Sequence, residues 1–274
     1  MIRLSAFADE ISQVPSEQIG VLEQHGIRHI EFRAIHGTNV LELSPDQHAE
    51  FRDLLQAHGF GLSAIGSPIG KSRIEDDFDL VLARFAEALD LAHFYGAPRI
   101  RVFSFYIPPG DDPESHRAAV TSRMTELALR ARDRGVTLFL ENEKGLYGDT
   151  AARVLEILES AGSPAISHAF DPANYLEVGQ SIDQAWTMLK HHVTHFHVKD
   201  LDPVSRRNVP AGQGAGQISR LIADAVASGF AGFCVLEPHL IVAEKSHGFT
   251  GPERFGDATT ALKTLLSKHG IPWK

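Results

Sequence analysis

The sequence predicts a closed (β/α)8 barrel of the TIM type, an α/β fold in one domain over 1–274. Three observations carry this. Short apolar runs alternate with amphipathic stretches along the whole chain, which is the pattern of parallel strands joined by helices. The alternation repeats eight times, which favours closure over an open sheet. The length of 274 residues also suits one such barrel, which typically takes about 250. An open doubly wound sheet is the competing arrangement, but no G-x-G-x-x-G follows the first strand.

In order, the first strand is read over Ile2–Ala8 and a helix over Pro15–His25, ended by Gly26. Arg28–Phe32 is the second strand. Asp46–His58 is helical because Phe51, Leu54 and Leu55 share a face, and Gly61–Ile65 is the third strand. Asp77–Tyr95 is a long helix carrying Leu82, Phe85 and Leu89, followed by strand Arg99–Phe105. Pro113–Arg134 is helical and Val136–Leu140 is the fifth strand. Asp149-Thr150 reads as an N-cap for Ala151–Ser160. Strand Ala165–Phe170, helix Ile182–His191, strand Val193–Val198, helix Ile218–Ser228, strand Phe233–Leu236 and helix Ala258–His269 complete the chain. Two long irregular stretches, Leu201–Gln217 and Pro238–Gly256, follow strands seven and eight. Both fall on the end of the barrel where such folds place their sites.

Composition narrows the function classes. Hydrophobic residues make up 43% and charged residues 22%, as in soluble globular proteins. The single cysteine, Cys234, allows no intrachain disulfide and reads as a small core residue between Phe233 and Val235. The start M-I-R-L-S-A-F-A-D-E-I lacks the regions of a signal peptide, and no apolar run approaches the ~18 residues of a membrane span. A cytoplasmic location without membrane partners is expected. The net charge of -9 argues against broad electrostatic binding to nucleic acid.

The seventh strand continues into V-T-H-F-H-V-K-D. Alternation puts His195, His197 and Lys199 on one face, and burying such groups unpaired costs roughly 2–7 kcal/mol each, so the strand reads as the lining of a site. Its neighbours agree. The fifth strand ends with Glu141, Asn142, Glu143 and Lys144, the sixth with Asp171, and the eighth with Glu237 and His239. Four consecutive strands thus deliver an acid or an imidazole at one level. Clustered carboxylates repel one another, and a divalent cation removes the repulsion. Glu141, Asp171, His197 and Glu237 form an oxygen-rich set with one nitrogen, suited to manganese, magnesium, cobalt or zinc. A metal-free carboxylate acid/base pair around His197 is the alternative.

The motifs F-A-D-E-I-S, G-S-P-I-G-K, E-N-E-K-G, F-D-P-A-N-Y, H-V-K-D, P-A-G-Q-G and L-E-P-H-L resemble the xylose isomerase-like barrels, the sugar phosphate isomerase/epimerase superfamily, over nearly the whole chain. The resemblance implies one divalent metal ion on Glu141, Asp171, His197 and Glu237, with Glu141 and Glu237 exchanging protons with a carbohydrate substrate through an enediolate. It implies a homo-oligomer as well. The chain departs from ketohexose epimerases of this type at two positions. Asn174 stands where they carry a histidine, and Pro203 where they carry an arginine, with Arg206 and Arg207 further on.

Other polar groups near the strand ends are substrate-binding candidates: Lys71, Asn174, Lys199, His239 and Arg33. Glu31 and Arg33 share a face and are expected to form an ion pair. His36 reads as a loop histidine, and Phe7, Phe105 and Tyr106 as core or an apolar wall. The glycines of Pro210–Gly214 suit a mobile lid. Three other functions compete with the isomerase. A keto-inositol or keto-sugar dehydratase uses the same bases, and Lys199 would suit it. An endonuclease IV-like nuclease needs further histidines that the third and fourth strands, ending at Ser67 and Ser104, do not supply. The third is a non-catalytic sugar-binding protein.

Overall fold

Eight parallel strands close into a barrel: β1 Arg3–Ala6, β2 His29–Phe32, β3 Gly61–Ile65, β4 Arg99–Val102, β5 Thr137–Glu141, β6 Ile166–Phe170, β7 Val193–Val198 and β8 Phe233–Leu236. Their order around it is β1-β8-β7-β6-β5-β4-β3-β2. The structure is a computed structural model and describes residues 1–162, 164–241 and 249–274. The helices are α1 Pro15–Gln24, α2 Pro45–Ala57, α3 Phe78–Tyr95, α4 Arg117–Asp133, α5 Ala151–Ala161, α6 Pro172–Glu177, α7 Ile182–Leu189, α8 Ile218–Ala227 and α9 Pro252–Lys268. No described helix is long and apolar enough to cross a membrane.

Local chemistry sets the helix ends. Ser44 and Gln47 form a reciprocal capping box on α2, and Asp77 and Ser181 cap α3 and α7 with their side chains. The predicted Asp149-Thr150 cap differs: Thr150 is the N-cap of α5 but makes no side-chain bond, and the Asp149 carboxylate pairs with Arg153 instead. The predicted helix Pro113–Arg134 begins with a separate 3-10 turn, Pro113–His116, and α9 starts at Pro252 rather than Ala258. In the predicted irregular stretch Pro238–Gly256, residues 242–248 lie outside the described residues.

The chain forms two compact units. One comprises Met1–Ser63 and His195–Lys274, with Phe7, Phe233 and Val235 buried together. The other is Ala64–Thr194, with Ala64, Phe139 and Ala169 buried together. Strand alternation carries each apolar face on to a polar residue two positions later. From Val235 it leads to Glu237, from Phe139 to Glu141 and from Ala169 to Asp171.

After β4 the chain turns sharply. Phe105 takes a left-handed backbone with φ of 67° and donates its N–H to the Gly70 carbonyl. Gly70 has φ of 88°, and a Cβ there would lie 2.0 Å from the Phe103 carbonyl oxygen. The second glycine of G-S-P-I-G-K is therefore a steric requirement.

Candidate metal centre

In the unit containing β1, β2, β7 and β8, the groups gather around Glu237. Its Oε1 lies 3.0 Å from Arg33 Nη1 and 3.4 Å from His239 Nε2. Its Oε2 is 3.4 Å from His197 Nδ1 and 4.0 Å from Lys199 Nζ. Oε2 is buried and meets no hydrogen-bond geometry. Burial alone would raise the Glu237 carboxyl, but Lys199, His197 and His239 outweigh it and hold it well below the usual carboxylate range.

Arg33 also donates Nε to Asp9 at 2.7 Å and lies over the Phe7 ring, 4.5 Å from its centroid. Burial would lower its pKa, yet Asp9, Glu237 and Glu10 together raise it. The expected partner of Arg33 was Glu31. The structure instead aims Arg33 at Asp9 and Glu237, while Glu31 Oε2 meets His197 Nε2 at 3.3 Å. Glu10 is fully buried. It accepts the His239 N–H at 2.9 Å and the Thr250 hydroxyl at 2.5 Å, with His239 Nε2 3.2 Å from its other oxygen. His239 has a left-handed φ of 47°, a conformation these bonds hold in place. Three residues of F-A-D-E-I thus fasten a neighbour: Phe7 and Asp9 hold Arg33, and Glu10 holds His239.

In the unit Ala64–Thr194, a second network holds Glu141 and Asp171. Arg101, inward on β4 and 4% exposed, donates Nη1 to Glu141 Oε2 at 3.2 Å and Nη2 to the Gly66 carbonyl. The Asn142 side chain accepts the Asp171 N–H at 3.0 Å and donates to the Asp171 carbonyl at 2.9 Å. Asp171 Oδ1 caps α6 by accepting the Asn174 N–H, and Asn174 Nδ2 donates to the Asn142 carbonyl at 2.8 Å. The Asn174 side chain therefore fastens the backbone beside Asp171.

Among the described residues, Glu141, Asp171, His197 and Glu237 each offer one ligand atom, all within 4.8 Å of one another, and all four are buried. Three carboxylates with one imidazole, including a buried carboxylate oxygen without a hydrogen bond, fit a divalent cation. A second set, Glu10, Glu237 and His239, meets the same distance limit. There Arg33 already supplies a fixed positive charge on Glu237 Oε1.

The remaining candidates are placed as follows. Lys199 is 6% exposed. Lys71 lies over the Phe103 ring and pairs with Glu143 at 3.0 Å. Phe7 stands edge-on to His197, centroids 5.2 Å apart, whereas Phe105 packs against Phe78. His36 lies at the tip of the hairpin Ala34–Ile35/Thr38–Asn39. The P-A-G-Q-G loop, read as a possible lid, is fastened by Asp200, whose carboxylate accepts the N–H groups of Gly212, Gly214 and Gly216 at 2.8–3.1 Å. A Cβ at Gly214 would lie 2.4 Å from Asp200 Oδ1.

Sequence reasoning missed Asp9, Glu10, Arg101 and Asp200. Arg101 had a readable signal: it alternates with Arg99 and Phe103, so a charge falls on a strand face in the way that singled out His197. Glu10 offered none, because its partners His239 and Thr250 lie at the other end of the chain.

The sequence profile of the xylose isomerase-like TIM barrel family matches residues 19–271. No curated protein sequence matches. Several solved structures share the fold. One is a xylose isomerase-like TIM barrel protein from Mycobacterium smegmatis in complex with magnesium, with 18% identity, TM-score 0.71, and 98% of this chain and 97% of that one covered. Another is a probable 3-DHS dehydratase, AsbF, involved in petrobactin synthesis in Bacillus anthracis, with 16% identity, TM-score 0.75, and 96% and 99% covered. A third is an L-ribulose 3-epimerase, with 19% identity, TM-score 0.74, and 98% and 96% covered. With the family profile spanning nearly the whole chain and a closed parallel barrel beneath it, the chain belongs to the xylose isomerase-like TIM barrel family.

Proposed function

We propose that this chain is a divalent-metal-dependent isomerase or epimerase of a small sugar or sugar phosphate, acting by proton abstraction next to a carbonyl through an enediolate. The observation that carries the reading is the buried set Glu141, Asp171, His197 and Glu237. Bound there, manganese, magnesium, cobalt or zinc would supply the positive charge that polarises a substrate carbonyl. Glu141 and Glu237 are the proton carriers. One takes the proton beside the carbonyl and the other returns one, a general acid-base exchange that contributes roughly 10²–10⁴-fold. Arg101 on Glu141 and Arg33 on Glu237 orient each carboxylate through one oxygen. Lys199 and His239 stand beside Glu237 as groups for substrate hydroxyls. The magnesium-bound neighbour and the epimerase neighbour support this reading.

A second reading is a keto-sugar or keto-inositol dehydratase. The buried Lys199 ammonium, 4.0 Å from Glu237 Oε2, could protonate a departing hydroxyl, and one structural neighbour is a probable dehydratase.

The test is metal content by mass spectrometry on protein stripped with chelator and reloaded, beside Glu237→Ala. About one divalent ion per chain, lost in the variant, is expected of such a site. No retained metal in the parent protein would remove the proposal. Keto-sugars are then screened for solvent-deuterium uptake, which Glu141→Gln should abolish, while an enone or diketone absorbance would select the dehydratase.

A further inference from the structure

We propose that Glu143 is a specificity residue: by pairing with Lys71 it leaves the loop ends beside Glu141 without a spare ammonium, so that the site takes a substrate with an uncharged, hydroxyl-bearing end and turns away phosphate esters and sugar acids. The proposal rests on the isomerase or epimerase reading above and narrows its substrate from a sugar or sugar phosphate to a free sugar.

All the groups concerned lie in the unit Ala64–Thr194. Lys71 follows β3, Phe103 follows β4 and Glu143 follows β5. Backbone bonds knit these loops together. Phe103 donates its N–H to the Ile69 carbonyl at 2.8 Å, Phe105 to that of Gly70 at 2.8 Å, and Tyr147 to that of Phe105 at 2.9 Å. Lys71 Nζ is thereby set 3.0 Å from Glu143 Oε2 and 4.3 Å from the Phe103 ring centroid. Arg101 Cζ lies 4.8 Å from the centroid of the same ring, and Arg101 donates to Glu141 at 3.2 Å. Glu143, Lys71, Phe103, Arg101 and Glu141 thus form one unbroken run of contacts, with a single ring between the outer ion pair and the inner one. The two pairs differ in access. The Arg101 and Glu141 side chains are 5% and 2% exposed, those of Lys71 and Glu143 34% and 20%, so the outer pair is the one a solute can touch.

An ammonium carries three donors, and a carboxylate only accepts. With one donor spent on Glu143, Lys71 keeps two for hydroxyl oxygens, and Glu143 takes hydroxyl protons beside it. Neighbouring hydroxyls of a sugar both donate and accept, so they satisfy both halves of the pair. A phosphate or carboxylate can use only Lys71, and there it meets the negative charge of Glu143. Like charges placed so close oppose binding. The charge of Glu143 already acts on its surroundings: together with burial, it raises the Tyr106 hydroxyl. Lys144, next in the chain, adds no spare cation, because it pairs with Glu177 at 2.8 Å.

The experiment uses the full chain at low salt, where charge effects are least screened, with parent and variants in the same metal state. Calorimetry with inorganic phosphate reads the charge of the pair whatever the sugar is. Glu143→Gln should bind phosphate roughly tenfold more tightly than the parent, because Lys71 is released. Adding Lys71→Met to Glu143→Gln should abolish that gain. Phosphate bound as tightly by the parent as by Glu143→Gln, or a gain that survives Lys71→Met, overturns the proposal. Circular dichroism checks folding, and Glu143→Ala replaces Glu143→Gln if the latter does not fold. Ketoses and their phosphate esters are then screened in pairs for solvent-deuterium uptake. Exchange in a free ketose and not in its ester is expected, and equal or greater exchange in the ester overturns the proposal. Exchange in neither removes the isomerase or epimerase reading, and the phosphate comparison then decides by itself whether Glu143 screens Lys71.

Discussion

Glu237 and Asp171 are both buried carboxylates just beyond the ends of barrel strands, but they are held by different kinds of neighbour. Around Glu237 the partners are charged or chargeable: Arg33, Lys199, His197 and His239. Around Asp171 the hydrogen bonds include amides and backbone: the Asn142 side chain holds its peptide N–H and the Asn174 N–H holds its Oδ1, with Asn174 fastening Asn142 in turn. The charge clamp acts on the carboxylate itself, and the amide clamp acts mainly on the backbone that carries it. They differ in what happens when one partner is removed. Deleting a cation leaves a buried anion uncompensated, whereas deleting an amide leaves hydrogen-bonding groups unsatisfied. The first is the larger penalty.

Arg33→Ala is the strongest way to break this comparison. It strips the guanidinium from both Asp9 and Glu237 and should cost about 3–5 kcal/mol, as breaking buried pairs does, read by urea unfolding in chelator. Asn174→Ala removes the donor to the Asn142 carbonyl and should cost about 1–3 kcal/mol by the same measurement. If the order of the two losses is reversed, the distinction between the clamps is wrong.

Acid sharpens the comparison within the charge clamp. Glu237 is lowered well below its ordinary value of 4.5, with burial opposed by Lys199, His197 and His239. A carboxyl lowered by folding contributes stability above its unfolded value and loses it as pH falls through the folded one. Metal-free parent protein should therefore lose thermal stability relative to Glu237→Gln as pH drops below about 4.5. Glu10 has the opposite sign, because burial raises it above 4.5 despite His239 and Arg33. Its ionisation costs stability as pH rises past that value, so Glu10→Gln should gain on the parent from acid toward neutrality. The smallest effect concerns Cys234, far from either clamp in chemistry. Burial pushes its thiol up to about 12, so thiol reagents should leave the native protein unlabelled and react only after unfolding.

Much of the fold was legible because it rests on local periodicity. The strand that carries His195 and His197 was read over the residues it occupies, Val193–Val198. The fourth strand was read too long, to Phe105, because apolar content continues past Val102 while Gly70 and Phe105 turn the backbone. The candidate ligands were legible for a related reason: acids and an imidazole directly after apolar strands stand out against the alternation. Arg33 and Glu31 were seen as important and given each other as partners, since residues two apart on a strand share a face. Their partners in the structure, Asp9, Glu237 and His197, are set by other strands.

The sequence by itself determined the strand-helix alternation, the barrel it implies, and which residue types end each strand, because these follow from the period of side chains along one segment. Only the tertiary structure decided the pairings that give those residues distinct properties: Arg33 on Glu237, Arg101 on Glu141, Asn142 on Asp171 and Glu31 on His197. Each joins different strands or the loops that follow them, and the energy of a buried charge depends on what lies within a few ångströms of it rather than on its neighbours in the chain.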